Sequence, residues 1–241
     1  MTLYAGAAYA LFLAVSVWLV GFVGDYPLPR TIDAGPPTPL VQAIAVDLLL
    51  IALFGLQHSV MARPVFKRAW TRLVPEPMER STYVLATSLV LALVLWQWRP
   101  VAAPVIWEIR QRAGVVSMTA LVWIGWGVLV LSTWLIDHFE LFGLRQAWAH
   151  LRGRTPEPLG FVTPVLYRHV RHPIYLGFLI AFWATPRMTL GHLLFAAGFS
   201  VYILVGIRYE ERDLVDRFGD RYRRYREEAG MLWPALRRRR P

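Results

Sequence analysis

The stretch "RHPIYLGFLIAFWATPRMTLGHLLFAAGFSVYILVGI", residues 171–207, decides how this chain is built. Its first apolar part, 174–185, is twelve residues long, about 18 Å of helix. That is too short to cross a hydrocarbon core of ~30 Å. Pro186 and Arg187 interrupt it, and a second apolar run follows at 188–207. The pattern predicts a helical hairpin that dips into a bilayer and returns, packed against other spans. Upstream the chain supplies them. Residues 3–23, 40–60, 83–98 and 115–136 are near-continuous apolar runs, and the longer ones match the ~20 residues that a span needs. The expected fold is all-α: a polytopic membrane protein of four transmembrane helices plus a C-terminal helical hairpin. Two regions follow, an N-terminal transmembrane bundle at 1–136 and a connector, hairpin and C-terminal segment at 137–241.

Composition agrees. Hydrophobic residues make up 56% and charged residues 17% of the 241, against roughly 25% charged in soluble domains. The first run has no basic n-region and leads into no cleavage site, so it reads as a span and not as a signal peptide. The chain has no cysteine, which excludes disulfides, thiolate metal sites and a cysteine nucleophile; no metal site is expected. The net charge of +10 is almost wholly arginine, Lys67 being the single lysine. On a membrane protein such charge reports topology and anionic headgroups, and no nucleic-acid partner is expected. The loop at 24–39 carries one arginine, whereas the loop at 61–81 carries Arg63, Lys67, Arg68, Arg72 and Arg80. The positive-inside rule then places the N-terminus and that second loop in the cytoplasm of a cell inner membrane. The three arginines of 99–114 run against this, but the basic connector after the fourth span agrees with it. Eleven arginines between Arg208 and residue 240 put the C-terminus on the same side. The closing "RRRR", 237–240, reads as a frayed, lipid-facing tail.

The polar residues at the hairpin's two ends need a reason. Pro173 opens the short apolar helix at the position where proline is favoured. The free amides of the first turn, with the helix dipole, suit an anion, and Arg168 and Arg171 flank them. Gly177, one turn further, costs about 1 kcal/mol against alanine in a helix, so it points to a close approach. In "IRYEERDLVDRFGDRYRRY", 207–225, Leu214, Val215, Phe218, Tyr222 and Tyr225 repeat at helical spacing and mark an inner face, with Gly219 a break. Glu210 and Glu211 lie one turn before Leu214 and Val215, at or beside that face. A solvated helix accounts for Asp216, Asp220, Arg223 and Arg224, but poorly for the two glutamates. An anion site, a carboxylate pair and aromatics near one membrane face complement a zwitterionic ligand with a further cationic or aromatic part.

"TPVLYRHVRHPIYLG" followed some thirty residues later by "RYEERDLVDRFGDRYRRY" resembles the C-terminal signature of the isoprenylcysteine carboxyl methyltransferase-like superfamily. The likeness covers about 163–225. One departure is Val165, where many relatives carry glycine two residues before the tyrosine that is Tyr167 here. "QHSVMARPVFKRAW" (57–70), "ERSTYVL" (79–85) and "DHFELFGLRQAW" (137–148) are similar to one branch, the methanethiol S-methyltransferase family of bacterial membrane enzymes that make dimethyl sulfide. The resemblance implies S-adenosylmethionine as cofactor, bound at the cytoplasmic side. It also implies Tyr167, Arg171, His172, Tyr175, Leu176, Gly177, Glu210, Glu211, Tyr222 and Tyr225 as its residues, a small thiol as substrate, and an acceptor pocket in the 1–136 bundle. The same architecture serves prenylated-cysteine or lipid acceptors and, in sterol-type reductases, NADPH; the Glu210–Glu211 pair disfavours the last. A haem ligated by His58 and His192 is the non-enzymatic alternative.

Methyl transfer from a sulfonium to a thiolate annihilates opposite charges, so apolar surroundings help it. A thiol near pKa 8.5 is only a few per cent ionised at pH 7, so a base or a nearby cation is useful. The candidates are His58, Arg63, His138 and Arg145. Gln57-His58-Ser59 ranks first among them because three polar residues end an otherwise apolar span. Glu140 accompanies the connector candidates, for which helix capping and headgroup anchoring are the plainer roles. Trp123, Trp126, Trp134 and Trp183 lie deep in their runs and are candidates to wall a small pocket. Lipid contact or packing is the plainer reading of each.

Overall fold

The computed structural model describes residues 1–154 and 160–234, so the terminal arginine run lies outside the described residues. The elements, in order, are α1 (Thr2–Val23), α2 (Leu40–Ala62), α3 (Pro64–Trp70), α4 (Glu76–Gln97), β1 (Val105–Glu108), α5 (Arg112–Ile136), α6 (His138–Leu141) and α7 (Leu144–Leu151). A 3₁₀ turn (Val165–Arg168), α8 (Pro173–Trp183), β2 (Arg187–Thr189), α9 (Leu190–Phe218) and α10 (Asp220–Glu228) complete it.

Five of these helices, α1, α2, α4, α5 and α9, are long and apolar enough to cross a membrane, and α8 is a shorter apolar helix. The four expected spans and the expected hairpin are therefore present. The hairpin's arms are unequal: α8 has 11 residues and α9 has 29, about 16 Å against about 43 Å. The long helix continues past its apolar part, through Glu210 and Glu211, to Phe218. Large apolar side chains point outward, with Leu3 90% and Val41 81% exposed. On a water-soluble surface such a skin would be a liability; on a polytopic membrane protein it is the lipid face.

The chain divides into two compact units. The first comprises 1–108, 138–157 and 187–198; the second comprises 109–137, 158–186 and 199–241. In the first unit, α4 packs against both α1 and α2, with small Ala5 and Ala8 of α1 buried. Asp47, wholly buried in α2, accepts the backbone N–H of Arg99 at 2.8 Å just beyond the end of α4. Strands β1 and β2 form a small antiparallel ribbon, Val105 opposite Thr189 and Glu108 opposite Arg187, which the apolar pattern does not announce. The start of α9 is capped: Thr189 Oγ1 accepts His192 N–H at 3.1 Å and donates to Asp33 Oδ1 at 2.6 Å, satisfying an amide that a helix end leaves open.

In the second unit α5 lies directly against α8. The contact is backbone to backbone at two glycines. A Cβ on Gly125 would meet Ala181 N at 2.7 Å and Gly177 O at 2.8 Å; one on Gly177 would meet Gly125 O at 2.7 Å. Small residues at such crossings let helices approach closely within a membrane, where dispersion and not the hydrophobic effect holds them together. The close approach expected at Gly177 is therefore made by α5. Trp126 is buried beside Phe178 and Phe182, whereas Trp123, Trp134 and Trp183 are exposed. Of the four deep tryptophans, only Trp126 is an interior residue.

Gly125→Ala and Gly177→Ala should each destabilise the protein by several kcal/mol, in the range of overpacked cores or above it. Gly127→Ala, on the same α5 helix with nothing within 4 Å of the added Cβ, should be neutral or slightly stabilising. Thermal unfolding of the three variants in one detergent measures this; equal melting temperatures would refute the crossing.

Candidate functional site

The two polar clusters, far apart in the chain, meet. His172 precedes Pro173 at the start of α8; Glu210 and Glu211 lie near the end of α9. Arg171 Nε donates to Glu211 Oε1 at 2.7 Å, and His172 Nε2 lies 3.2 Å from the same oxygen. The other oxygen of Glu211 pairs with Arg226 Nε at 3.3 Å. His172 Nδ1 is 3.7 Å from Glu210 Oε2, and the Tyr175 hydroxyl donates to that oxygen at 2.9 Å. The rings of His172 and Tyr175 stack with centroids 5.6 Å apart. One imidazole thus spans the two carboxylates.

The two glutamates are not equivalent. Glu211 is buried, and its side chain serves two guanidinium groups and the imidazole. Glu210 keeps 44% of its side chain exposed. The organising carboxylate is Glu211, and the one that can turn to a ligand is Glu210. A charge pair taken from water is costly unless its remaining hydrogen-bonding capacity is also met. Here it is met: Arg171 Nη1 also donates to Ala229 O at 2.5 Å and to Arg226 O at 3.1 Å.

The segment after α10 closes the arrangement. Arg171 N–H donates to Gly230 O at 2.8 Å and His172 N–H to Met231 O at 3.2 Å, with a parallel bridge between Val170 and Gly230. Gly219 (φ 56°) makes the expected break between α9 and α10. Tyr222 and Tyr225 then turn onto a core that takes in Leu214, Val215, Phe218 and Phe161. The predicted inner face of this helix pair is the observed one. The Tyr225 hydroxyl donates to Tyr167 O at 2.5 Å, and the Tyr167 hydroxyl to Ser132 O at 3.4 Å in α5. Among the described residues the buried Tyr222 hydroxyl has no hydrogen-bond partner. Leu176 gives its amide to His172 O, at 3.0 Å, in the first turn of α8. Arg168 does not join Arg171; it is exposed and lines a separate cavity. Arg226 and Ser132 were not expected members. Arg226 lies in a run of arginines with nothing in sequence to single it out, and Ser132 acts through its backbone.

The candidates for handling an acceptor's proton fall in the first unit. His58, half-buried near the end of α2, has Nδ1 3.3 Å from Thr87 Oγ1 and its ring 5.0 Å from that of Tyr83. Neighbouring Gln57 donates to Met61 Sδ at 3.1 Å, and its buried Oε1 has no hydrogen-bond partner among the described residues. Arg63 Nε donates to Ser59 O at 3.2 Å. His138 is buried, 2.6 Å from the Tyr9 hydroxyl and packed on Phe142. Arg145 pairs with Glu140 at 3.2 Å. Among the described residues no group of three or more His, Asp or Glu side chains is placed to hold a metal ion.

Val165 has φ +34°, a conformation that favours glycine and strains a β-branched residue. The departure from the resembled motif therefore falls where the backbone prefers glycine. Val165→Gly should be neutral or should stabilise by up to about 1 kcal/mol, read as the unfolding midpoint in detergent. Burial pushes the Tyr225 phenol up to about 12 from its ordinary 10, and burial raises Tyr167 and Tyr222 as well. An acid with a raised folded-state pKa keeps its stabilising effect below pH 10 and loses it as the pH climbs through 12. Stability should accordingly fall between about pH 10 and 12, and less steeply in Tyr225→Phe; parallel curves for the two proteins would contradict the assignment.

No family model and no solved structure matches the chain. Individual proteins do. The chain is 54% identical over 232 residues to the methanethiol S-methyltransferase of Mycobacterium tuberculosis (strain ATCC 25618 / H37Rv), covering 96% of this chain and 95% of that protein. To methanethiol S-methyltransferase 1 of Bradyrhizobium diazoefficiens it is 52% identical over 232 residues, covering 96% and 81%. To nurim of Rattus norvegicus it is 34% identical over 184 residues, covering 73% and 69%. At that identity across nearly the whole length of both chains, this polytopic protein belongs to the methanethiol S-methyltransferase family.

Proposed function

We propose that this protein methylates a small thiol, methanethiol, to dimethyl sulfide, with S-adenosylmethionine as methyl donor. The observation that supports this most is the meeting of Arg171 and His172 with Glu210 and Glu211 across the α8–α9 hairpin, in a chain of this family.

The residues fit the cofactor chemically. Glu210, with an exposed face, suits an ammonium or a ribose diol. The first-turn amides of α8 suit a carboxylate. The buried Tyr222 hydroxyl, without a partner among the described residues, is a donor that an acceptor on the cofactor would satisfy. Tyr175, stacked on His172, offers a flat face to a purine or a cation. When bound, S-adenosylmethionine supplies an electrophilic methyl group to a thiolate. The chain's own tasks are to hold the donor in one pose and to relieve the thiol of its proton. We assign the second task to His58, whose imidazole is the one side chain in Gln57-His58-Ser59 with a ring nitrogen suited to general-base work. Arg63, His138 and Arg145 are the further candidates, but His138 and Arg145 already serve Tyr9 and Glu140.

The same reading sets topology. With four crossings and a hairpin that dips and returns, the basic loops support a topology with both termini and the cofactor residues at the cytoplasmic face of the inner membrane. Lipid surrounds the spans.

Purified protein given S-adenosylmethionine and methanethiol should release dimethyl sulfide into the headspace. Longer thiols and farnesylcysteine should compete poorly; methylation of farnesylcysteine without dimethyl sulfide would replace the acceptor. Glu211→Ala should abolish cofactor binding, because it frees Arg171 and Arg226 at once. His58→Ala should lower turnover by roughly 10² or more with cofactor affinity largely kept. Unaltered affinity in Glu211→Ala would overturn the site.

A further inference from the structure

Two helices of the first unit converge on one imidazole. Phe54 and His58 lie one turn apart on α2, and Tyr83 and Thr87 lie one turn apart on α4, so each pair shares a helix face. The two helices pack together. The Phe54 ring stacks on the His58 ring at a centroid distance of 5.4 Å, and the Tyr83 ring lies 5.0 Å from it. The Tyr83 hydroxyl also donates to His58 O at 3.5 Å. These rings fix the plane of the imidazole, and Thr87 Oγ1, 3.3 Å from Nδ1, fixes which edge of it faces α4.

Thr87 spends its hydroxyl differently from its neighbours. In a helix a serine or threonine hydroxyl commonly bonds back to a carbonyl of the preceding turn. On α4 Thr82 donates to Met78 O and Ser88 to Val84 O, each at 2.8 Å. The one hydrogen-bond partner of Thr87 among the described residues is His58. A neutral imidazole carries its hydrogen on one nitrogen only, and the bond made at one nitrogen sets the state of the other.

With His58 taken as the base assigned above, we propose that Thr87 is its positioning residue. Thr87 Oγ1 accepts the Nδ1 hydrogen and so holds the ring in the tautomer whose Nε2, the nitrogen farther from the α2 backbone, is unprotonated. Nε2 is then the atom that takes the thiol's proton. When the S–H bond breaks, its electron pair stays on sulfur as the thiolate and the proton goes to Nε2. The Nδ1–H bond to Thr87 persists, strengthened by the positive charge now on the ring. The opposite polarity, with Thr87 donating to Nδ1, would leave the hydrogen on Nε2 and the ring unable to receive a proton.

Thr87→Val keeps the branched shape and removes the oxygen. It should lower kcat roughly tenfold, the worth of about one hydrogen bond in the transition state. The KM for methanethiol, the affinity for S-adenosylmethionine and the melting temperature should not change, and Thr87→Ser should restore kcat. In a His58→Ala background Thr87→Val should cost nothing further, because its partner is gone. Nitrogen-15 NMR of histidine-labelled protein, with the His58 signals identified by their loss in His58→Ala, reads the tautomer without turnover. The wild type should carry the hydrogen on Nδ1, and Thr87→Val should shift it to Nε2. Full kcat in Thr87→Val, the same tenfold loss in the His58→Ala background, or a wild-type hydrogen on Nε2 would each overturn this role while leaving His58 as the base. Full turnover in His58→Ala would instead overturn the base assignment, and the role of Thr87 with it.

Discussion

The second unit is organised by one ion pair, Arg171 with Glu211. Both side chains are about nine-tenths buried, so neither charge has water to fall back on; removing Glu211 would strand the Arg171 charge, whereas Glu211 without Arg171 would keep Arg226 and His172. The pair ties the start of a short membrane helix to the end of a long one. The further bonds of Arg171 to Arg226 O and Ala229 O bring the last described segment onto the same point. A single guanidinium thus fastens three parts of the chain that have no sequence proximity. Because Glu211 is fully engaged, His172 is held between two carboxylates of different character, one buried in ion pairs and one 44% exposed.

This division explains why two adjacent acids occur at the end of an apolar helix. A lone buried glutamate there would satisfy Arg171 but leave no carboxylate for Tyr175. A lone exposed one would leave Arg171 without its buried partner. On a helix, neighbours i and i+1 point about 100° apart, so consecutive glutamates can face inward and outward at once. Gly125 and Gly177 contribute at another level. By bringing α5 and α8 to backbone contact they set where Tyr167 can reach Ser132, and so where Tyr225 finds its acceptor.

The spans were legible because each is a block of about twenty apolar residues, a signal set by membrane thickness and independent of tertiary context. The inner face of α9 and α10 was legible for a related reason: Leu214, Val215, Phe218, Tyr222 and Tyr225 keep helical spacing across the Gly219 break. Other features carried no such signal. The β1–β2 ribbon is too short to show a period of two. Asp47 is a single polar residue whose only described partner is a distant backbone amide. Of four deep tryptophans only Trp126 faces inward, which hydropathy cannot tell because lipid and protein interior are equally apolar.

By itself, the sequence determined the apolar spans, the unequal hairpin and the presence of two polar clusters at its ends, since these follow from local periodicity and hydropathy; the short helices α3, α6 and α7 carry no such signal. The tertiary structure decided which charges meet. Arg171 and Arg168 differ little in sequence, yet one is spent on Glu211 and the other faces an open cavity. The reason is physical: pairing depends on distances of about 3 Å between residues forty positions apart, and such distances exist only once α8 has folded back along α9.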